Sequence, residues 1–186
     1  MEVLSGEVLT DSDSVIKIAG VPCGRLGIRK RRSLGIAVVP EERLGHGAVG
    51  AMSLIENVFL SGHEQYNLTR RLWMHYSNAR KFARKICDAF DVRHAGIDTD
   101  AGSLSGGNLQ KYLIGREILQ YPKVMIASQP TWGVDAGSQT AIHRALLNLT
   151  ENGTAVLVVS QDLDELMELC GPVSYTHLTL PTKRIV

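Results

Sequence analysis

Hydrophobic and polar positions alternate in two patterns along the chain. Continuous apolar runs of strand length occupy residues 36–39, 124–127 and 155–159, and they predict short buried strands. Stretches of helical spacing follow the last two runs, at residues 136–150 and 162–169. Strands that alternate with helices predict a parallel sheet, whose ligands bind beyond the carboxyl ends of the strands. We therefore expect the residues that follow these strands to face a ligand.

The remaining segments have a different pattern. Short β-like stretches at residues 7–10 and 15–19 flank an Asp-Ser turn and predict an antiparallel hairpin. A glycine-rich loop is expected at residues 40–50, followed by a helix at residues 53–60 with Ser53 as its cap. A second helix is clearer, because apolar residues recur at helical spacing: Ala79, Phe82, Ala83, Ile86 and Phe90. The chain is therefore of the α/β class.

The octapeptide LSGGNLQK opens a further predicted amphipathic helix. Ser105 is a good N-cap, and Gly106 and Gly107 leave the first-turn amide groups open to an anion at the positive end of the helix dipole. Asn108 and Gln110 add polar groups near the helix mouth. Four apolar residues fall roughly on one face: Leu109, Tyr112, Leu113 and Leu119. Both an anion site and a merely serine-capped helix fit these residues.

Composition narrows the function only slightly. Of 186 residues, 44% are hydrophobic and 21% are charged, as in an ordinary globular domain, and no apolar run approaches the roughly 20 residues of a membrane span. The formal net charge of +1 gives no reason to expect a nucleic acid partner. The basic run at residues 29–32, joined by Arg25, is interpreted as a solvated helix face. Three cysteines without metal-ligand spacing predict reduced cytosolic thiols.

LSGGNLQK resembles the signature motif of ATP-binding-cassette (ABC) ATPases, in the form common in sugar and nucleoside importers. The resemblance covers about residues 1–171 and includes PEERLGHG, SQPTWGVD and VVSQDLDEL. It looks most like the second nucleotide-binding domain of a tandem importer ATPase. The implied fold is an α/β, incomplete P-loop NTPase-type nucleotide-binding domain. It would contain a parallel sheet, a helical subdomain at about residues 53–118 and a short antiparallel N-terminal hairpin.

The resemblance also locates the family's catalytic positions, and most of them are altered. Ser128 and Gln129 stand where the family has the acidic magnesium ligand and the catalytic glutamate, so neither a strong metal ligand nor a base is present. Gln161 occupies the position of the switch histidine, and Glu41 that of the Q-loop glutamine. Asp135 does match the D-loop aspartate. We expect no intact catalytic residue and no metal ligand in this chain.

Ser105, Gly106, Gly107 and Asn108 would therefore contact the phosphate of an ATP bound to the opposing domain. ATP and Mg²⁺ would be held mainly by that partner, the first nucleotide-binding domain of the same subunit. Transmembrane permease subunits are the other implied partners, and no nucleic acid is expected. The implied location is the cytoplasmic face of the plasma membrane, in a peripheral subunit of an importer for nucleosides or simple sugars. The chain by itself is not expected to hydrolyse ATP.

Both ends of the sequence depart from the family pattern. No stretch fits the Walker A phosphate cradle, so the chain is expected to begin just after it. Residues 172–186 resemble translated adapter sequence and are expected to be a non-native tail, with a genuine β-rich tail as the alternative. Two other functional interpretations remain. The chain could be a gene-model fragment without function, or it could belong to a non-transport ABC protein of DNA repair or translation.

Overall fold

The structure is a computed structural model that describes residues 1–62, 68–70 and 73–170. The predicted tail at residues 172–186 lies outside the described residues. In chain order the helices and strands are α1 (Glu2–Ser5), β1 (Lys17–Ile18), β2 (Val21–Pro22), α2 (Ile28–Ser33), β3 (Ile36–Val39), α3 (Leu54–Gly62), β4 (Thr69–Arg70), β5 (Trp73–Met74), α4 (Tyr76–Ala89), α5 (Gly106–Ile118), β6 (Val124–Ser128), α6 (Ala136–Glu151), β7 (Ala155–Val159) and α7 (Leu163–Leu169).

A parallel sheet of β3, β6 and β7 lies at the centre, with β6 in the middle. The predicted parallel arrangement is confirmed, and the register pairs Val39 with Ala127 and Ser128 with Val159. The prediction that residues 155–159 form a buried strand is wrong, because Leu157 remains 43% exposed. Within the described residues β7 is an edge strand with a neighbour on one side only, so its apolar run does not reflect burial on both faces.

The N-terminal hairpin exists, but it lies further along the chain than the sequence predicts. Lys17 pairs with Pro22 across a turn at Ala19 and Gly20, both of which have positive φ. Two successive residues with positive φ suit a tight hairpin, because their twist matches that of the strands. Residues 7–10 are not a strand, and Asp13–Val15 form a single 3-10 turn capped by Ser12. The turn at 19–20 therefore sets the register.

The basic segment forms α2, but the predicted solvated face is only partly correct. Arg29 and Lys30 are exposed, whereas Arg31 is completely buried. Its guanidinium donates to the carbonyls of Leu26 at 2.7 Å and Gly24 at 2.9 Å. Arg31 therefore fastens the N-terminal segments to α2 and is unavailable to a polyanion.

The helix that follows LSGG, α5, lies between two apolar cores. Its Leu113 packs with α3 and α4 in one cluster, and its neighbour Ile114 packs against the sheet and α6 in another. The predicted apolar stripe is buried or half-buried, yet the other faces of α5 are buried as well, from Leu109 to Ile118. The first turn of α5 is therefore part of a helix that packs against both the sheet and the helices α3 and α4.

Helices α3 and α4 form the layer that packs on α5 and cover part of the predicted helical subdomain. α3 begins with a capping box, in which Glu56 accepts from the Ser53 N–H at 2.8 Å and its own N–H donates to the Ser53 hydroxyl at 3.2 Å. The predicted Ser53 cap is thus confirmed. Among the described residues, no helix has the length and apolar character required to cross a bilayer.

Candidate functional site

The signature loop lies at the start of α5, as the sequence predicts. Ser105 is the N-cap, and its hydroxyl accepts from the Asn108 N–H at 3.4 Å and from Asn108 Nδ2 at 2.9 Å. The N–H groups of Gly106 and Gly107 belong to the first turn, where a helix has no internal acceptor for them. Ser105 and Gly106 are exposed. The loop therefore presents backbone donors to solvent at the positive end of a 13-residue helix.

The side chain of Asn108 also holds the signature loop in place. Its Oδ1 accepts from the backbone N–H of Arg93 at 3.0 Å, which ties the segment after α4 to the mouth of α5. The sequence did not predict this tie, because the two residues lie in different segments. Asn108 is consequently held by hydrogen bonds on both sides of its amide group.

An open groove of about 590 Å³ runs between the starts of α5 and α6. Ser105, Gly107 and Asn108 line one side, and Asp135 and Ser138 line the other. The structure thus brings the signature loop and the D-loop position together. The charges around the groove are mixed, since Arg93 and Lys111 line it together with the acidic residues Asp88, Asp91 and Asp135.

Asp135 uses its carboxylate mainly to cap α6. Oδ1 accepts from the Ser138 N–H at 3.0 Å and Oδ2 from the Ser138 hydroxyl at 2.6 Å. These hydrogen bonds hold the pKa of Asp135 below its usual value. The side chain is therefore ionised at neutral pH and fixed at the edge of the groove.

The positions that the resemblance assigns to catalysis meet at the carboxyl ends of β6 and β7. Ser128 is buried at the end of β6, and the Gln129 N–H donates to the Val159 carbonyl at 2.7 Å. Gln129 has a positive φ, and its Oε1 accepts from the Gln161 N–H at 3.3 Å. The side chain at the position of the catalytic glutamate is thus a neutral amide bonded to the neighbouring strand end.

Glu41 lies apart from the signature loop. With Ser128 and Trp132 it lines a separate cleft of about 500 Å³, which also has Glu2, Glu7 and Glu42 in its walls. Among the described residues, its lining has several carboxylates and no Lys or Arg side chain, so it matches a phosphate less well than the groove, where Arg93 and Lys111 offset part of the acidic charge. Of the predicted site residues, four line the groove, two line this cleft, and Gly106, Gln129 and Gln161 line neither.

The residues present fit the phosphate of a nucleotide better than its metal. The glycines at the start of α5 leave their amide groups accessible, which suits a phosphate oxygen. At the strand ends, neither Ser128 nor Gln129 can supply the anionic oxygen that Mg²⁺ prefers. Among the described residues, no three His, Cys, Asp or Glu side chains are grouped to hold a metal ion.

Arg43 and Gln110 form a cluster that the sequence did not predict. Gln110 does not face the helix mouth as expected. It is buried, and its Nε2 donates to the Pro130 carbonyl at 3.0 Å. Arg43 Nε donates to Gln110 Oε1 at 2.9 Å, and Arg43 Nη2 donates to the Trp132 carbonyl. The partners are far apart in sequence, so no local pattern announces them. The sequence offered one hint, a polar glutamine next to the apolar Leu109 and Tyr112 in the predicted helix.

Comparison with known proteins gives consistent relatives. No family model matches the chain. It is 35% identical to the nucleoside import ATP-binding protein of Lactococcus lactis over 177 residues, covering 95% of this chain and 35% of that protein. It is 36% identical to the guanosine import ATP-binding protein of Bacillus subtilis, covering 94% of this chain and 34% of that protein. A glucose import ATP-binding protein of Haloferax volcanii is 39% identical, with 73% and 25% covered. The chain spans about a third or less of the length of these curated relatives.

Solved structures agree on the fold. A dimeric bacterial ABC transporter cassette superposes with a TM-score of 0.71 at 20% identity, over 90% of this chain and 70% of that chain. Its post-hydrolysis dimer, bound to ADP and Pi, gives a TM-score of 0.66 at 22% identity, over 81% and 64% of the two chains. The parallel sheet, the LSGG motif at the start of α5 and the relatives all indicate the same family. The chain belongs to the ATP-binding cassette family, and its relatives are ATP-binding proteins of nucleoside, ribose and glucose importers.

Proposed function

We propose that this chain is part of the ATP-binding subunit of an ABC importer for nucleosides or simple sugars. In that subunit, Ser105, Gly106, Gly107 and Asn108 engage the phosphate of an ATP held by a partner domain. The observation that carries the proposal is the exposed first turn of α5 in an open groove, with neutral side chains at the strand ends. These features support a nucleotide site in which the start of α5 offers donors to an anion and the strand ends supply no charged group.

Hydrolysis by this chain's own strand ends is not part of the proposal. A base must carry a charge or accept a proton, and an amide does neither at neutral pH. Gln129 is moreover held by the Gln161 N–H, so its oxygen is already engaged. ATP and Mg²⁺ are therefore assigned mainly to the partner domain, and the contribution of this chain is the positively polarised helix start.

The proposed partner domain is the first nucleotide-binding domain of the same subunit. The chain spans 35% of the Lactococcus lactis protein, so a subunit of that length has room for a second cassette. Transmembrane permeases are the proposed partners on the other side, which places the subunit at the cytoplasmic face of the plasma membrane. The membrane subunits would receive the closing motion through the loop at residues 40–50.

Gly106→Trp in the full tandem subunit tests the role of the loop. A Cβ atom at Gly106 would lie 2.7 Å from Arg43 Nη1, so a large side chain there must displace the Arg43 guanidinium and occupy the space beside the first-turn amide groups. We expect transport and ATP hydrolysis to fall by about 100-fold, the effect of losing an electrostatic anion site. Gly27→Trp is the matched control, because no atom lies within 4 Å of its Cβ position.

Gln129→Glu is the companion variant. It restores a carboxylate at the strand end, yet we expect transport to change by less than about twofold, because the metal ligand is absent there as well. The 186-residue chain alone should show no MgATP turnover. Unchanged transport in Gly106→Trp, or turnover by the chain alone, would contradict the proposal.

A further inference from the structure

Arg43 connects three segments of the chain next to the start of α5. It lies in the loop between β3 and α3. Its Nε donates to Gln110 Oε1 of α5 at 2.9 Å, and its Nη2 donates to the Trp132 carbonyl. The guanidinium also lies over the indole ring of Trp132, with Cζ 5.6 Å from the ring centroid. A single side chain thus bridges the 40–50 loop, the signature helix and the turn after β6.

Gln110 extends this bridge into the interior. It is only 1% exposed, and its Nε2 donates to the carbonyls of Pro130 at 3.0 Å and Gln129 at 3.3 Å. Both ends of its amide group are therefore used, one toward Arg43 and one toward the turn. Because a buried amide with all its partners satisfied has one favoured orientation, Gln110 fixes where Arg43 can lie.

The guanidinium occupies the space that side chains would take at two glycines. Its Nη1 lies 2.7 Å from the Cβ position of Gly106, and its Nη2 lies 3.3 Å from that of Gly133. It therefore sits between the signature loop and the turn that leads to Asp135. Movement of α5 or of the turn would break a hydrogen bond to Arg43.

We propose that Arg43 is a positioning residue that sets the spacing between the signature loop and the turn at residues 130–135. This inference rests on the proposed function, because the spacing matters for engaging the phosphate on a partner domain. A lysine cannot replace it, since one ammonium nitrogen cannot reach Gln110, the Trp132 carbonyl and the indole face in the same geometry.

Fluorescence of the 186-residue chain tests the bridge without reference to ATP. Trp73→Phe leaves Trp132 as the only tryptophan. In that background Arg43→Met should change the intensity and wavelength of Trp132 emission, because the cation over the ring is lost. Arg29→Met, at an exposed arginine of α2, should leave the emission unchanged. Unchanged emission in Arg43→Met would overturn the bridge itself.

Kinetics of the full tandem subunit test whether the Arg43 bridge affects the binding of ATP. Arg43→Met should raise the KM for ATP about tenfold, the loss expected for hydrogen bonds to a charged group. Arg43→Lys should fail to restore it. A variant that merely unfolded a share of the protein would lower kcat at constant KM, so constant KM counts against positioning.

Comparison with Gly106→Trp separates the two proposals. If Gly106→Trp abolishes transport while Arg43→Met behaves as the natural protein, the positioning role fails and the proposed function stands. If both variants transport normally, the proposed function fails and the positioning role fails with it. Raised KM in Arg43→Met, together with loss of transport in Gly106→Trp, supports both.

Discussion

At the scale of single residues, the neutral side chain of Gln129 links two strand ends. Ser128 is buried at the end of β6, and Gln129 and Gln161 join neighbouring strand ends through one hydrogen bond of 3.3 Å. An amide in this position accepts the Gln161 N–H without bringing a charge to the strand ends, whereas a carboxylate would bring one. The neutral set is therefore self-sufficient, and no bound metal is needed to make it stable.

The cysteines permit a residue-scale prediction. Burial, with a smaller effect of the negative charge on Asp88, raises the pKa of the Cys87 thiol to about 12. At pH 8 its reactive thiolate fraction is thus on the order of 10⁻⁴. We expect iodoacetamide to label the half-buried Cys170 first, and Cys87 only after unfolding in urea, as followed by mass spectrometry.

The Cys170→Ala variant is the control for this experiment. In it, native-state labelling at pH 8 should nearly disappear, since Cys23 and Cys87 are both buried. Labelling of Cys87 at the rate of a free thiol would show that α4 opens in the native state.

The contacts of His143 govern how α7 is attached, at the scale of elements. His143 is buried on α6, with Nε2 3.2 Å from Glu165 Oε1 and Nδ1 3.1 Å from Glu168 Oε2. The Thr131 hydroxyl also donates to Glu165 Oε1, at 2.6 Å. Helix α7 has only seven residues, so it depends on these contacts more than on its own helical propensity.

His143→Ala should therefore loosen α7. It leaves the buried Glu165 carboxylate with the Thr131 hydroxyl as its remaining hydrogen-bond partner, and we expect a loss of about 3 kcal/mol in the free energy of unfolding. Hydrogen exchange of the α7 amides should accelerate in parallel. Arg144→Ala, at an exposed neighbour on the same helix, is the matched control. Equal exchange in the two variants would show that α7 is held by other contacts.

The elements divide into those that the sequence predicts and those that it does not. The helices α4, α5 and α6 and the Ser105 cap follow from local spacing, because residues three or four apart determine them. The hairpin was misplaced because positive φ at Ala19 has no signature in residue type, unlike the adjacent glycine. The exposure of β7 depends on its place in the sheet order, and that order is not a local property.

The same distinction holds within the site. Residue type and spacing predicted the signature loop, but Arg43 and Gln110 are 67 positions apart and meet only in the folded chain. Likewise, the sequence shows Arg31 only as one cation in a basic run, and its carbonyl partners are known only from the folded chain. Buried polar contacts of this kind depend on where whole segments lie, so hydrophobic pattern cannot reveal them.

The whole molecule is joined through the C-terminal half of α5. Glu117 is fully buried and lies 2.9 Å from Arg32 of α2 and 2.9 Å from Arg116. Arg116 in turn donates to the carbonyls of Gly47 at 2.9 Å and Asn57 at 3.1 Å. One ionic cluster therefore connects α2, the 40–50 loop, α3 and α5.

This cluster makes global stability depend on pH. Burial acts to raise the pKa of Glu117, but the charges of Arg32 and Arg116 outweigh burial and hold the pKa below its usual value. A lowered folded-state pKa stabilises the fold fully above the unfolded value of about 4.3, and that stability is lost as pH falls through the folded value. We expect stability to decline below about pH 4.

Glu117→Gln tests this dependence by urea unfolding at pH 7 and pH 3. The variant should be less stable by about 3 kcal/mol at pH 7, because the buried guanidinium of Arg116 and the half-buried one of Arg32 lose their counter-ion. Its stability should then fall less between pH 7 and pH 3 than that of the natural chain. The exposed Glu151→Gln serves as the control and should retain the natural pH dependence. Equal pH dependence in Glu117→Gln would place the acid sensitivity elsewhere.

In the proposed function, the groove at the start of α5 recognises phosphate through main-chain groups that need open space around them. Its donors are main-chain N–H groups, which every residue except proline possesses, so truncating side chains there removes little of the recognition. An alanine scan of this stretch would understate its importance. A scan with large side chains would reveal that importance, because binding at such a site depends on open space beside the main chain and not on side-chain groups. Variation in natural sequences should follow the same rule, tolerating changes of polarity and rejecting increases in size.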